Sequence, residues 1–67
     1  MKVFGERVKQ ELKAQNKLQK HLCEYLSVNK STLSEWLNGN NEPPMQTIVD
    51  IATYLEVSTD YLLGLEN

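Results

Sequence analysis

Apolar residues recur along this chain at the three- and four-residue spacing of helices, and no stretch alternates as a half-buried strand does. Phe4, Val8 and Leu12 predict a first helix over roughly 3 to 15, closed by the polar turn around Asn16. Leu18, Leu22, Cys23 and Leu26 predict a short second helix, and Asn29 is placed to cap a third running to about Asn38, with Gly39 just beyond. Asn38-Gly39 is also a hairpin pair, but its flanks keep helical period. Pro43 and Pro44 end the following loop, since proline is tolerated where the first helical amides lack an acceptor. Met45, Ile48, Ile51, Ala52 and Leu55 then mark a fourth helix, and Ser58 caps a short fifth ahead of Gly64. The pattern predicts an all-α chain of five helices.

Length confirms the economy of this plan. Sixty-seven residues bury only roughly 60% of their unfolded surface, enough for one core, so residues 1–67 are read as a single domain. With 40% apolar and 24% charged residues the chain is a globule, not a disordered tail. No apolar run approaches the roughly 18 residues of a membrane helix, and MKVFGERVKQ turns charged too soon for a signal peptide, so a cytoplasmic location is expected. Cys23 has no second cysteine to pair with, and with His21 as the single histidine no tetrahedral metal site can be built. The expectation is a protein without metal or cofactor and without catalysis.

Charge adds the first hint of a partner. All seven basic residues, Lys2, Arg7, Lys9, Lys13, Lys17, Lys20 and Lys30, lie in residues 1–30 against three acids, a net +4; the remainder carries six acids and no base. The overall -2 therefore conceals a basic half suited to an anionic partner, unless the asymmetry is only an uneven solvated surface.

The most informative segment is QKHLCEYLSVNKSTLSEWLN, residues 19–38. Two helices crossing steeply over a three- or four-residue turn need inward apolar residues and a small one at the close approach. Leu22, Leu26, Val28, Leu33 and Trp36 supply the first and Cys23 the second, which is a helix-turn-helix pattern. With FGERVK before it, EPP after the loop and IVDIATYLEVSTDYLLG at the end, the chain resembles the lambda-repressor-like, or Cro-like (XRE-type), helix-turn-helix domains from about Phe4 to Gly64. That resemblance implies a compact five-helix fold and a regulator, a repressor by expectation, that binds double-stranded DNA.

On a wheel at about 100° per residue, Lys30, Ser31, Ser34, Glu35 and Asn38 share an arc of roughly 140°, opposite Leu33, Trp36 and their neighbours. Lys30 can donate to guanine O6/N7 or to a phosphate, Glu35 can accept from cytosine N4, and Ser31 and Ser34 can do either. The resemblance makes Lys30, Ser31, Ser34 and Glu35 the base readers, and Gln19, Lys20, Asn29, Thr32, Asn38, Asn40 and Asn41 the phosphate contacts. Amides and hydroxyls release few counterions, so the salt dependence is expected to be shallow. Tyr61, Leu62, Leu63 and Leu65 form an apolar C-terminal cluster, the expected homodimer surface for reading palindromic half-sites.

Several positions depart from the family's habit. Leu18 stands where a capping Ser or Thr is usual, Ser27 where the turn favours Gly, and Glu56 where Gly or Asn commonly ends the fourth helix. Leu37 replaces a frequent Glu, so a pairing with Lys13 is absent; it either packs or touches a thymine methyl or a protein partner. The loop NGNNE carries no base. An acidic chain of this kind also suits a protein-binding module or antitoxin component, using Leu37, Tyr25 and the C-terminal leucines. The chain is expected to be either a stand-alone regulator or the N-terminal part of a longer one.

Overall fold

The computed structural model describes residues 2–66, which form five helices and, among the described residues, no strand: α1 Lys2–Ala14, α2 Gln19–Leu26, α3 Lys30–Leu37, α4 Met45–Leu55 and α5 Thr59–Leu62. Their bounds follow the spacing of apolar positions to within about a residue of the expectation. Phe4, Val8 and Leu12 of α1, Leu22 and Cys23 of α2, Leu33, Trp36 and Leu37 of α3, Ile48, Ile51, Ala52 and Leu55 of α4, and Leu62 of α5 form one core. α1 packs on α3, α4 and α5, while α2 packs on α3 and α4. At Gly5 the backbones of α1 and α3 approach so closely that an added Cβ would overlap the Leu37 carbonyl.

All five helices end the same way. Asn16, Ser27, Gly39, Glu56 and Gly64 each take a positive φ, between 56° and 81°. In each case the next residue's amide reaches back five positions, as in Val28 N to Cys23 O at 3.1 Å and Val57 N to Ala52 O at 3.0 Å. This is the Schellman closure, which satisfies carbonyls that a helix otherwise leaves without donors. Only two of the five sites are glycine. A residue with a Cβ is strained there, as the sequence led us to expect at Ser27 and Glu56. Ser27→Gly and Glu56→Gly should therefore each stabilise the fold by about 0.5–1 kcal/mol, after allowing for the looser unfolded chain; urea midpoints at unchanged slope would show it.

The helix starts differ in quality. Asn29 Oδ1 accepts from Thr32 N at 2.8 Å and Ser58 Oγ from Tyr61 N at 3.0 Å, two ordinary side-chain caps. Leu18 has the extended backbone of a cap, φ -98° and ψ 145°, but no side-chain acceptor, and it is 56% exposed. Leu18→Ser is expected to raise stability by about 0.5–1 kcal/mol, read from thermal unfolding, because the backbone is already in capping geometry.

α4 is anchored at its C-terminal end by groups from the α1–α2 turn. Gln15 Nε2 donates to Leu55 O at 2.9 Å and Lys17 Nζ to Tyr54 O at 3.0 Å, while Val57 N and Glu56 N serve Ala52 O and Thr53 O. The last four carbonyls of α4 are thus all paired. Lys17 also lies over the Tyr54 ring at 4.6 Å, and Tyr54 in turn meets Tyr25 at 4.8 Å between centroids.

Candidate nucleic-acid interface

α2 and α3 are joined by Ser27, Val28 and Asn29, with Ser27 in the left-handed region turning the chain and Asn29 starting the next helix. Leu33, Trp36 and Leu37 bury one side of α3, which fixes the rotation of the helix and presents the opposite side to solvent. On that free side Lys30, Ser31, Ser34 and Asn38 are exposed and Glu35 is partly so. Four of the five sequence-predicted polar positions therefore stand fully outward.

The flanking candidates are mostly free as well. Gln19 and Lys20 are exposed on the first turn of α2, and Asn40 and Asn41 are exposed in the loop. The backbone amides of Asn40 and Asn41 both point to Glu35 O, at 3.0 and 3.4 Å, so the loop folds back onto the end of α3. Asn29 spends its side-chain oxygen on the cap, and its amide nitrogen remains an available donor. Thr32 is half-buried beside the core face.

Of the alternatives for Leu37, burial leaves only packing, and one expectation for the C-terminal cluster needs correction. Leu37 is only 3% exposed and belongs to the core, so it packs; neither a thymine methyl nor a partner protein can reach it. Leu62 is 0% exposed and belongs to the core of the chain itself, so it has no surface to give a second protomer. Tyr61 and Leu63 are half-buried, and of the C-terminal cluster only Leu65, at 73%, is largely open.

Arg7 explains much of the C-terminal arrangement. Its guanidinium lies 4.5 Å from the Tyr61 ring centroid and donates to the Tyr61 carbonyl at 2.6 Å and to the Glu66 carbonyl. Arg7 and Lys17 are therefore employed in holding the fold, which leaves Lys2, Lys9, Lys13, Lys20 and Lys30 as exposed cations. Sequence reasoning missed the role of Lys9. From α1 it reaches Asn38 Oδ1 at 3.0 Å, placing a cation at the C-terminal edge of the α3 free face. Position on a helix wheel gives no warning of such a contact, since 29 residues separate the two.

The Tyr61 hydroxyl donates to Glu11 Oε2 at 3.2 Å. Desolvation first, then this hydrogen bond and the carboxylate charge, hold the phenol above its ordinary value of 10.0, with Arg7 pulling the other way. The folded state thus binds this proton more tightly than the unfolded chain does. Its stabilisation is complete below the unfolded value and is lost as pH rises past the folded one. Wild type should accordingly be more stable than Tyr61→Phe near pH ~8 and lose that advantage as pH rises past the folded phenol's value, as urea midpoints along a rising pH series would record.

A family profile described as helix-turn-helix matches residues 8–62. The chain is 32% identical over 63 residues to the HTH-type transcriptional activator BcrR of Enterococcus faecalis, covering 94% of this chain and 31% of BcrR. It is 32% identical to the HTH-type transcriptional regulator ImmR of Bacillus subtilis, over 91% of this chain and 48% of ImmR. A third relative, the SPbeta prophage-derived uncharacterized HTH-type transcriptional regulator YonR of Bacillus subtilis, is 30% identical over 91% of this chain and 56% of its own length. No solved structure matches the sequence. The chain belongs to the XRE-type, lambda-repressor-like helix-turn-helix family. It spans between about a third and just over half the length of these relatives. Among the described residues, no helix is long and apolar enough to cross a membrane.

Proposed function

We propose that this single domain, residues 1–67, is a cytoplasmic, sequence-specific regulator of transcription that binds double-stranded DNA with α3 in the major groove. The observation that carries this reading is the division of α3: Leu33, Trp36 and Leu37 are locked into the core, and Lys30, Ser31 and Ser34 stand free on the opposite side. A helix held this way can be seated in a groove about 12 Å wide with its N-terminal residues on base edges. Lys30 then supplies a donor to guanine or phosphate, Glu35 an acceptor for cytosine N4, and Ser31 and Ser34 short adaptable groups. Gln19, Lys20, Asn29, Thr32, Asn38, Asn40 and Asn41 surround the helix and fix its register on phosphates.

Repression needs nothing more of such a domain than occupancy of its operator, and that is the role we assign. An activator, as BcrR is named, must in addition touch the transcription machinery. A homodimer is part of the proposal, since two-fold pairing sets half-sites about one helical turn apart. Its surface is Leu65 with the outer parts of Tyr61 and Leu63, joined by Val3, whose side chain lies beside Gly64.

Selection from a random duplex library at two salt concentrations tests the reading. Enrichment of a palindrome with half-sites near 10 base pairs apart supports it, together with a salt slope below about five phosphates' worth. A folded protein that enriches no motif at either salt refutes it and favours a protein partner, which would meet the half-exposed Tyr25 and Leu65. Sedimentation showing only monomer at high micromolar concentration, with and without DNA, refutes the dimer alone.

A further inference from the structure

The free face of α3 carries a short hydrogen-bonded chain that begins on another helix. Lys9 Nζ of α1 donates to Asn38 Oδ1 at 3.0 Å, and Asn38 Nδ2 donates to Ser34 Oγ at 3.3 Å. The directions in this chain are set by chemistry. An ammonium group has donors and no acceptor, so only the oxygen of the Asn38 amide can face it. The amide nitrogen must then face Ser34, whose oxygen becomes the acceptor. Two protons are left over: the hydroxyl proton of Ser34 and the second amide proton of Asn38. No hydrogen bond among the described residues uses either. Both side chains are exposed on the face that would meet DNA.

Two donors side by side distinguish the bases. Guanine offers two adjacent acceptors in the major groove, N7 and O6; adenine sets an acceptor beside a donor, and cytosine offers a donor. Without Lys9 the amide of Asn38 is free to turn over, Ser34 is free to donate to it, and the pair then presents an acceptor as readily as a donor. Where the local dielectric falls below that of water, as at an interface, such a chain is also worth more.

Resting on the DNA-binding reading above, we propose that Lys9 acts through Asn38 as a positioning residue for specificity, fixing Ser34 and Asn38 as a paired donor that reads one guanine, in place of the phosphate contact that the resemblance assigns to Asn38. Lys9 thus influences base choice from α1, outside the recognition helix.

The test is library selection with wild type, Ser34→Ala, Lys9→Met and Lys9→Arg. All three substitutions are at exposed positions, and circular dichroism confirms that each variant is folded. In wild type, one operator position should require guanine, and Ser34→Ala should flatten that position. Lys9→Met should weaken the guanine preference at the same position on the order of fivefold, the effect of one neutral hydrogen bond, while the other positions keep theirs. Lys9→Arg, which again offers only donors, should restore the preference. Placing 7-deazaguanine at that position removes the N7 acceptor and should weaken wild type more than Ser34→Ala, which has only the Asn38 donor left. If Lys9→Met lowers affinity equally at every position, Lys9 is a phosphate contact only and the inference is overturned. Selection of adenine or cytosine at the Ser34 position overturns it as well. A wild type that enriches no motif fails at the DNA-binding reading itself, which separates the two.

Discussion

Gly5→Ala is expected to remove about 3 kcal/mol or more of stability, a large share of what a domain of this size has to lose. A methyl group at this position would lie 2.6 Å from the Leu37 carbonyl carbon and 2.9 Å from its Cα, and closer still to the oxygen. These are backbone atoms of α3, so no rotamer change relieves the overlap; α1 and α3 must separate along their whole contact. Overpacking in a core ordinarily costs about 1–3 kcal/mol even where side chains can move aside. Here the separation also loosens Phe4 and Val8, which lie on either side of Gly5 and are fully buried. Thermal unfolding should show a fall of more than about 10 °C, against a shift of a degree or two for Lys13→Ala on the exposed side of the same helix. Because the displaced element is α3, DNA affinity should fall even where the variant is still folded. A Gly5→Ala protein with wild-type stability would mean that α1 and α3 are not in contact as described.

Lys30→Ala carries the largest expected effect on binding alone. Lys30 is the first residue of α3, exposed, and next to the cap that Asn29 makes with Thr32. The leading end of the helix combines this ammonium with free backbone amides and the positive end of the helix dipole, so groove-facing anionic and acceptor atoms converge there. Losing it should weaken operator binding about 10- to 100-fold with stability unchanged, measured by titration of labelled duplex. The pattern of the loss identifies the contact. A loss confined to one base position means Lys30 reads guanine, whereas a uniform loss with a salt slope lower by about one means it holds a phosphate.

How much of this was legible beforehand differs sharply between backbone and surface. Helix bounds were readable because the punctuation is local: Asn29 and Ser58 cap, Pro43 and Pro44 stop the loop, and Gly39 and Gly64 close α3 and α5. The outward set Lys30, Ser31 and Ser34 was readable too, since burying Leu33 and Trp36 leaves no other rotation for α3. Leu37 was ambiguous on a wheel because it sits at the margin of the packed face. Its burial in the core follows from how α3 packs on α1, whose backbone meets that of Leu37 at Gly5, and no wheel shows that packing. Leu62 was misplaced for a similar reason: an apolar residue in a C-terminal cluster reads as surface until the turn of α5 against α1 and α4 is known. The Arg7 and Lys9 contacts join residues 54 and 29 positions apart, respectively, and no period in the sequence encodes them.

Charge was legible only in outline. The basic half of the chain does contain the exposed lysines around α2 and α3, yet two of its seven cations, Arg7 and Lys17, are committed to carbonyls and aromatic faces of the fold. The cationic surface open to phosphates is smaller than the count suggests, which agrees with a shallow salt dependence.

If the domain acts as proposed, the free face of α3 meets DNA. Amide chemical-shift mapping of the isotopically labelled chain during titration with its selected duplex tests this most directly. The largest shifts are expected at Lys30, Ser31, Ser34 and Asn38, with a second group at Gln19, Lys20, Asn40 and Asn41, and little change at Asp50 or Glu56 on the far side of the charge division. Shifts centred on Tyr25, Tyr54 or Leu65 with α3 unmoved would contradict it.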